Sequence, residues 1–367
     1  MISVHLIVGA RPNFIKAAPI ARAFQACNKL FDLKIIHTGQ HFDPQMSEVF
    51  FKELNIPRPV VNLGCNSNFG YLSEISQMAQ IMEKYEGYCR SFPVKQYKPD
   101  LVMVIGDVNS TFACAFVANR MGIPVAHVEA GERCNNPKMR EEQNRVFTDY
   151  LSDYNFFASE RAKTTYKGYG KKFYVGNTMI DQLIYMLEKI ERRAAKIYDG
   201  NEYCIMTLHR AENIDGNQNR IKDILRAISD VIKVKFFVHP RLNPFQCDID
   251  NISIMQPCGY IDFLALVMNS VIVITDSGGL QMEAMVLNKP CVTIRHETEW
   301  LETLGYGWNK LAGGISNLDI NFLLKKIDEQ IAKAKDKTLQ IGNYNCYEHA
   351  DASAAIILYL EDEFYDT

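Results

Sequence analysis

Short apolar runs alternate with amphipathic stretches along this chain, and no other pattern constrains its fold so tightly. Ser3–Val8, Leu33–His37, Leu101–Ile105, Val125–Val128 and Tyr154–Ala158 read as strands. Between them Phe14–Phe24, Gln45–Leu54, Tyr71–Tyr88, Thr111–Met121 and Glu141–Leu151 repeat apolar residues at helical spacing. A second series begins near Val175, with strands at Tyr203–Leu208, Lys235–Val238, Ile252–Met255, Val271–Ile274 and Cys291–Ile294. Strictly alternating strand and helix signals point to parallel sheets wrapped in helices. The 367 residues are about twice a common domain, so two domains with separate cores are expected. The boundary falls at 174/175, with residues 1–174 first and 175–349 second. The charged stretch Glu188–Gly200 reads as a solvated helix near that junction, and Ala350–Tyr365 as a closing helix free to pack on either domain.

Composition narrows the function classes. A formal charge of −3 gives no global reason to expect nucleic acid. No apolar run approaches the ~18 residues that span a bilayer. The opening residues, Met1 to Gly9, lack the basic start of a signal peptide and read as a buried strand. Ten cysteines without a Cys-x-x-Cys read as reduced core thiols of a cytoplasmic protein rather than a zinc site or disulfide frame.

Two motifs mark where chemistry belongs. Gly106-Asp107-Val108-Asn109-Ser110-Thr111 and Asp276-Ser277-Gly278-Gly279-Leu280-Gln281-Met282-Glu283 each follow an apolar run and open a helical segment. Such a turn leaves backbone N–H groups facing the crevice at the carboxyl edge of the sheet, where phosphate binds well. One such turn in each half suggests a nucleotide clamped between two domains. Gly9-Ala10-Arg11-Pro12 makes a third strand-to-helix turn, with Pro12 suited to the first helical turn. Arg11 and Lys16 project from it toward a diphosphate; two surface cations on a helix start are the plain alternative. His127-Val128-Glu129-Ala130-Gly131 sets a carboxylate just past a strand, and Asp107 ends a neighbouring one, so both face one cavity. Glu141 and Glu142 start a helix, where dipole compensation and a Glu141–Arg145 pair are the plain reading for one of the two. His209, Arg210, His239 and Arg241 each lie just past a strand and read as counter-charges to a phosphorylated ligand. Ser277, Gly278 and Gly279 offer donors to the same phosphates, and Glu283 an acceptor to ribose hydroxyls. His127 and Glu129 lack a third ligand, and Asp248-Ile249-Asp250 follows no strand, so neither is assigned a metal.

Taken together these motifs resemble the non-hydrolysing UDP-N-acetylglucosamine 2-epimerases. The matching pieces are 9–16, 37–43, 106–111, 127–131, 141–145, 208–213, 276–279 and 297–300. The resemblance implies an α/β fold of two Rossmann-like domains facing across a cleft, the GT-B-like architecture, in a homodimer whose C-terminal helix crosses back to the first domain. It implies a UDP-sugar substrate and no cofactor. Asp107, Glu129 and Glu141 become the acid/base candidates, and His209, with Arg11, Lys16 and Arg210, holds the leaving diphosphate. Ser277, Gly278, Gly279 and Glu283 hold phosphate and ribose, and the Tyr260–Phe263 region holds uracil. Gln40 and His41 match a segment that borders an activating second substrate site in bacterial members.

The implied reaction needs these residue types. The C2 proton of a UDP-sugar is not next to a carbonyl, and no nicotinamide fingerprint is present. C1–O cleavage therefore comes first: UDP leaves, C1 turns positive, and a carboxylate takes the C2 proton to give a 2-acetamidoglucal. Protonation on the other face and return of UDP invert C2. Arg140 stands where many members have proline, Asn13-Phe14 where many have Glu-Ala, and Trp300 where arginine is common. The Asn-Phe, His-Phe-Asp and Glu-Trp variants look more like the epimerases of UDP-2,3-diacetamido-2,3-dideoxyglucuronate. A hydrolysing epimerase, a glycosyltransferase and a non-catalytic nucleotide-sugar sensor are the remaining classes.

Overall fold

The computed structural model describes residues 1–27, 29–40, 50–65, 73–91, 98–239, 242, 244–336 and 351–365. The chain divides into two compact units: Met1–Ile184 together with Tyr347–Thr367, and Tyr185–Cys346.

The first unit holds β1 (Ile2–Val8), β2 (Phe31–His37), β3 (Val61–Asn62), β4 (Leu101–Ile105), β5 (Val125–Val128), β6 (Tyr154–Phe157) and β7 (Lys171–Tyr174). All are parallel, in the order β3-β2-β1-β4-β5-β6-β7. Every residue of β4 and β5 is buried, as expected where helices cover both faces of a parallel sheet. Packing explains the helices beside them. The helix Asn109–Arg120 turns Ala113, Cys114, Val117 and Ala118 inward, and these small side chains let it lie close to the helices Glu74–Arg90 and Arg140–Leu151. Tyr85, Ile7, Val102 and Val104 complete that core.

The second unit holds β8 (Tyr203–Thr207), β9 (Lys233–Phe237), β10 (Ile252–Met255), β11 (Ile272–Thr275), β12 (Cys291–Thr293) and β13 (Asn309–Leu311). Their parallel order is β10-β9-β8-β11-β12-β13. Ile221, Ile224, Leu225 and Ile228 of the helix Gln218–Ser229, with Leu323 and Ile327 of Ile320–Lys335, pack on Met206, Ile272, Ile274 and Val292. Both sheets are wound alike: the strand order reverses between β1 and β4 in one and between β8 and β11 in the other. A ligand crevice is expected at the carboxyl end of each reversal.

Three edge strands, β3, β7 and β13, escaped the sequence reading because they are short and partly exposed. The charged stretch at Glu188–Gly200 is helical as far as Ile197. It is the exposed end of a helix, Thr178–Ile197, whose apolar face buries Ile180, Leu183, Met186 and Ile190. The helix Ala352–Tyr365 packs on Arg11–Ala26 within the first unit. Its first turn is held by the Asp181 carboxylate, which accepts from the Ala352 N–H (3.2 Å), the Ser353 N–H (2.8 Å) and the Ser353 hydroxyl (2.6 Å). Among the described residues no helix is long and apolar enough to cross a membrane.

Candidate active site

In the first unit the turns after β1, β4 and β5 converge. Asn13 ties the first two: its carbonyl accepts from the N–H groups of Gly9 and Ala10, both at 3.2 Å, and its amide donates to Ile105 O at 3.0 Å. A Cβ on Gly9 would collide with Ser110 Oγ and Thr38 Oγ1, so the turn needs glycine at the close approach of two loops. Gln40 joins the same knot, its carbonyl accepting from the Ser110 N–H (2.9 Å) and hydroxyl (2.6 Å). His41 lies outside the described residues, as do Arg241, the start of the Gln45–Leu54 segment and Tyr71.

Lys16 reaches from the first helix to Glu129, Nζ to Oε2 at 2.6 Å, with about a tenth of each side chain exposed. The cation expected at a diphosphate is therefore seated on a carboxylate. Glu129 has φ 68°, an uncommon backbone for a side chain of its size. Asp107 pairs with Arg145, which also stands 3.5 Å from Glu142. The expected Glu141–Arg145 pair does not form, because Arg145 turns toward Asp107 instead. Glu142 is the structural member of the two glutamates: it accepts from the Cys134 N–H (3.1 Å) and the Asn135 N–H (3.0 Å) and so fixes the loop before its helix. Glu141 is half-buried and makes no hydrogen bond or ion pair among the described residues. Arg11 lies over the Phe50 ring at 4.7 Å. Asp107, Glu129 and Lys16 are brought together at one reversal, with Glu141 at the start of the helix that carries Arg145.

In the second unit Asp276, fully buried, organises the reversal between β8 and β11. Its carboxylate accepts from the His209 N–H (3.0 Å), the Arg210 N–H (3.0 Å) and the Asn213 amide (3.0 Å). The His209 ring, 39% exposed, is thereby presented outward, 3.5 Å from the same carboxylate. Arg210 Nε donates to Asp276 O at 3.2 Å, and the His239 ring lies 6.5 Å from that of His209. Ser277 caps the helix Gly278–Val286. Gly278 is required by the buried Glu299, which a Cβ there would strike, and Glu299 is held by Arg295 at 2.8 Å. Glu283 is buried one turn along this helix.

The uracil expectation divides. Phe263 is half-buried against Phe237, rings 5.0 Å apart and nearly perpendicular, whereas the Tyr260 side chain is only 1% exposed and belongs to the core. The sequence motifs give Asp276 and Asn213 no role of their own and offer Arg145 only as a partner for Glu141. An acid at the end of an apolar strand followed by Ser-Gly-Gly was the available signal for Asp276.

Two sheets wound in the Rossmann order make this a GT-B-like α/β protein. The profile described as UDP-N-acetylglucosamine 2-epimerase matches residues 25–361, and the chain belongs to that family. It is 41% identical over 325 residues to the UDP-N-acetylglucosamine 2-epimerase homolog of Methanococcus maripaludis, covering 84% of this chain and 87% of that one. It is 34% identical over 367 residues to the UDP-2,3-diacetamido-2,3-dideoxy-D-glucuronate 2-epimerase of Pseudomonas aeruginosa, covering 96% and 98%. The Methanocaldococcus jannaschii UDP-GlcNAc 2-epimerase, solved in complex with UDP-GlcNAc and UDP, superposes with a TM-score of 0.86 at 34% identity over 98% of this chain and 99% of that one.

Proposed function

We propose that this chain inverts C2 of a UDP-N-acetylhexosamine, converting UDP-N-acetylglucosamine to UDP-N-acetylmannosamine by elimination and re-addition of UDP without release of free sugar. The observation that carries this reading is the group at the first reversal. Glu129 on a left-handed backbone, its cation Lys16, and Asp107 on Arg145 gather at one sheet edge. Two carboxylates held by cations, with Glu141 unpaired among the described residues, suit a reaction that takes a proton from one face of a carbon and returns it to the other.

His209, with Arg210 and His239, receives the diphosphate as the C1–O bond breaks and the bonding pair leaves with UDP. Ser277, Gly278, Gly279 and Glu283 hold phosphate and ribose. A carboxylate takes the C2 proton, the C1=C2 bond forms, and delivery of a proton to the opposite face with return of the UDP oxygen to C1 completes the inversion. The Asn13-Phe14 and Glu299-Trp300 pairs favour one second reading, the same reaction on UDP-2,3-diacetamido-2,3-dideoxyglucuronate.

Incubation with UDP-N-acetylglucosamine in deuterated water, followed by proton NMR, tests the proposal. Deuterium at C2 with accumulating UDP-N-acetylmannosamine is the expected result. Exchange only with the diacetamido uronate moves the substrate to the second reading. Free UDP and free sugar would indicate hydrolysis, and no exchange with either nucleotide would overturn the epimerase reading.

A further inference from the structure

His127, which lacks the further ligands of a metal site, has no part in the proposed chemistry. Its ring is wholly buried on β5, two residues before Glu129. Nε2 lies 2.8 Å from Gly106 O, the carbonyl immediately before Asp107. Nδ1 lies 2.7 Å from Asp149 Oδ1. A carbonyl only accepts, and a carboxylate facing the Arg133 guanidinium is an acceptor too, so both ring nitrogens donate. The other oxygen of Asp149 accepts from the Gly131 N–H at 3.1 Å, two residues past Glu129. Gly106 and Gly131 both have positive φ, 65° and 77°, so each loop bends sharply where it is gripped.

We propose that His127, seated on Asp149, is the positioning residue that sets the two loops carrying Asp107 and Glu129 relative to each other. The proposal rests on the epimerase reading. One ring fixes the peptide plane entering Asp107, and one carboxylate fixes both that ring and the Ala130–Gly131 peptide, the second after Glu129. Asp149 lies on the helix Arg140–Leu151, whose first turn carries Glu141 and whose Asn144 and Arg145 donate to Asp107 O (2.9 Å) and to the Asp107 carboxylate. All three acid/base candidates are thereby referred to one rigid helix. Packing alone does not account for the device. An apolar side chain fills such a space without the desolvation cost of buried charge, so the polar network is retained for the geometry it imposes.

Asn and Gln separate the two ring contacts. The Asn amide reaches the position of Nδ1, and the Gln amide that of Nε2. His127→Asn keeps a partner for Asp149 and releases Gly106 O, whereas His127→Gln keeps the donor to Gly106 O. For His127→Asn, kcat for C2 inversion falls about 30- to 100-fold, with KM and UDP affinity within about twofold. His127→Gln recovers kcat to within about fivefold of wild type. Hydrogen exchange of the peptide over 106–109 rises in the Asn variant more than in the Gln variant. Should His127→Asn fail to fold, His127→Gln carries the test alone: a fall in kcat within that fivefold at unchanged KM supports the role, and wild-type kcat overturns it.

Unchanged kcat in both variants, or kcat and UDP affinity falling together, overturns the positioning role. Wild-type protein inert toward both UDP-sugars overturns the epimerase reading instead, a result visible before any variant is made.

Discussion

Glu129 adopts a left-handed backbone that costs a side-chain-bearing residue about 1–2 kcal/mol, and two bonds retain it. The N–H groups of Glu129 and Ala130 both donate to Phe156 O, at 3.0 and 3.1 Å, so the chain turns off β5 at a set point and delivers the carboxylate to Lys16. Placement of this side chain is thus a backbone decision. Glu129→Gln keeps the shape and the turn and removes the charge that takes a proton and pairs with Lys16. UDP affinity should stay within about twofold while C2 deuterium exchange drops by about 10³ or more. Isothermal titration with UDP and the exchange experiment check the two halves separately, and undiminished turnover would remove Glu129 from the mechanism.

At the scale of elements, the helix Ala352–Tyr365 depends on a side chain far away in sequence. Asp181 supplies the acceptor that its first turn lacks, and burial pushes that carboxyl's pKa up while the bonds to Ser353 and Ala352 oppose the shift. Asp181→Ala should lower stability by about 1–2 kcal/mol. It should also raise hydrogen exchange over 352–365 before other segments; uniform exchange would show that the cap does not hold this helix. A cap of this kind could not be read from the sequence, since 181 and 352 share no local pattern.

What could be read was whatever an element's own residues decide. The strands at Leu101–Ile105, Val125–Val128 and Ile252–Met255 are legible to the residue because their mostly apolar runs are short and sharply bounded. The helix Thr178–Ile197 was half seen, because its charged end is conspicuous and its buried end resembles strand. The turns at Gly106, Gly9 and Ser277 were legible from their glycine, proline and acid content. Which partner each charge takes was not: Arg145 chooses Asp107 over Glu141, and Lys16 chooses Glu129, through loop approach set by the sheet register.

At the scale of the whole molecule, two buried histidines of the first unit set its response to acid. Burial lowers the His5 pKa to about 3, with Lys34 adding to the shift, and lowers that of His37 to about 4 against an opposing bond from Asn62. His37 Nδ1 accepts from the Gly39 N–H at 2.9 Å, a bond that only the unprotonated nitrogen can make. Both rings are neutral in the fold and take up protons near pH 6.5 when unfolded. Their contribution is therefore present above about pH 6.5 and lost as pH falls toward 4 and then 3. Each adds about 1.4 kcal/mol per pH unit to the slope in that window. Urea melts at pH 7 and pH 4.5 should show a smaller loss for His37→Asn than for wild type; equal losses would place the acid response elsewhere.

The chain leaves the first unit after Ile184 and returns to it at Tyr347. On the ribosome this order matters. All the strands of the second unit emerge before the helix that covers Arg11–Ala26 does, so the half made first is the half finished last. A stalled nascent chain would carry one completed body behind another still exposing the apolar face that its final turns are meant to cover.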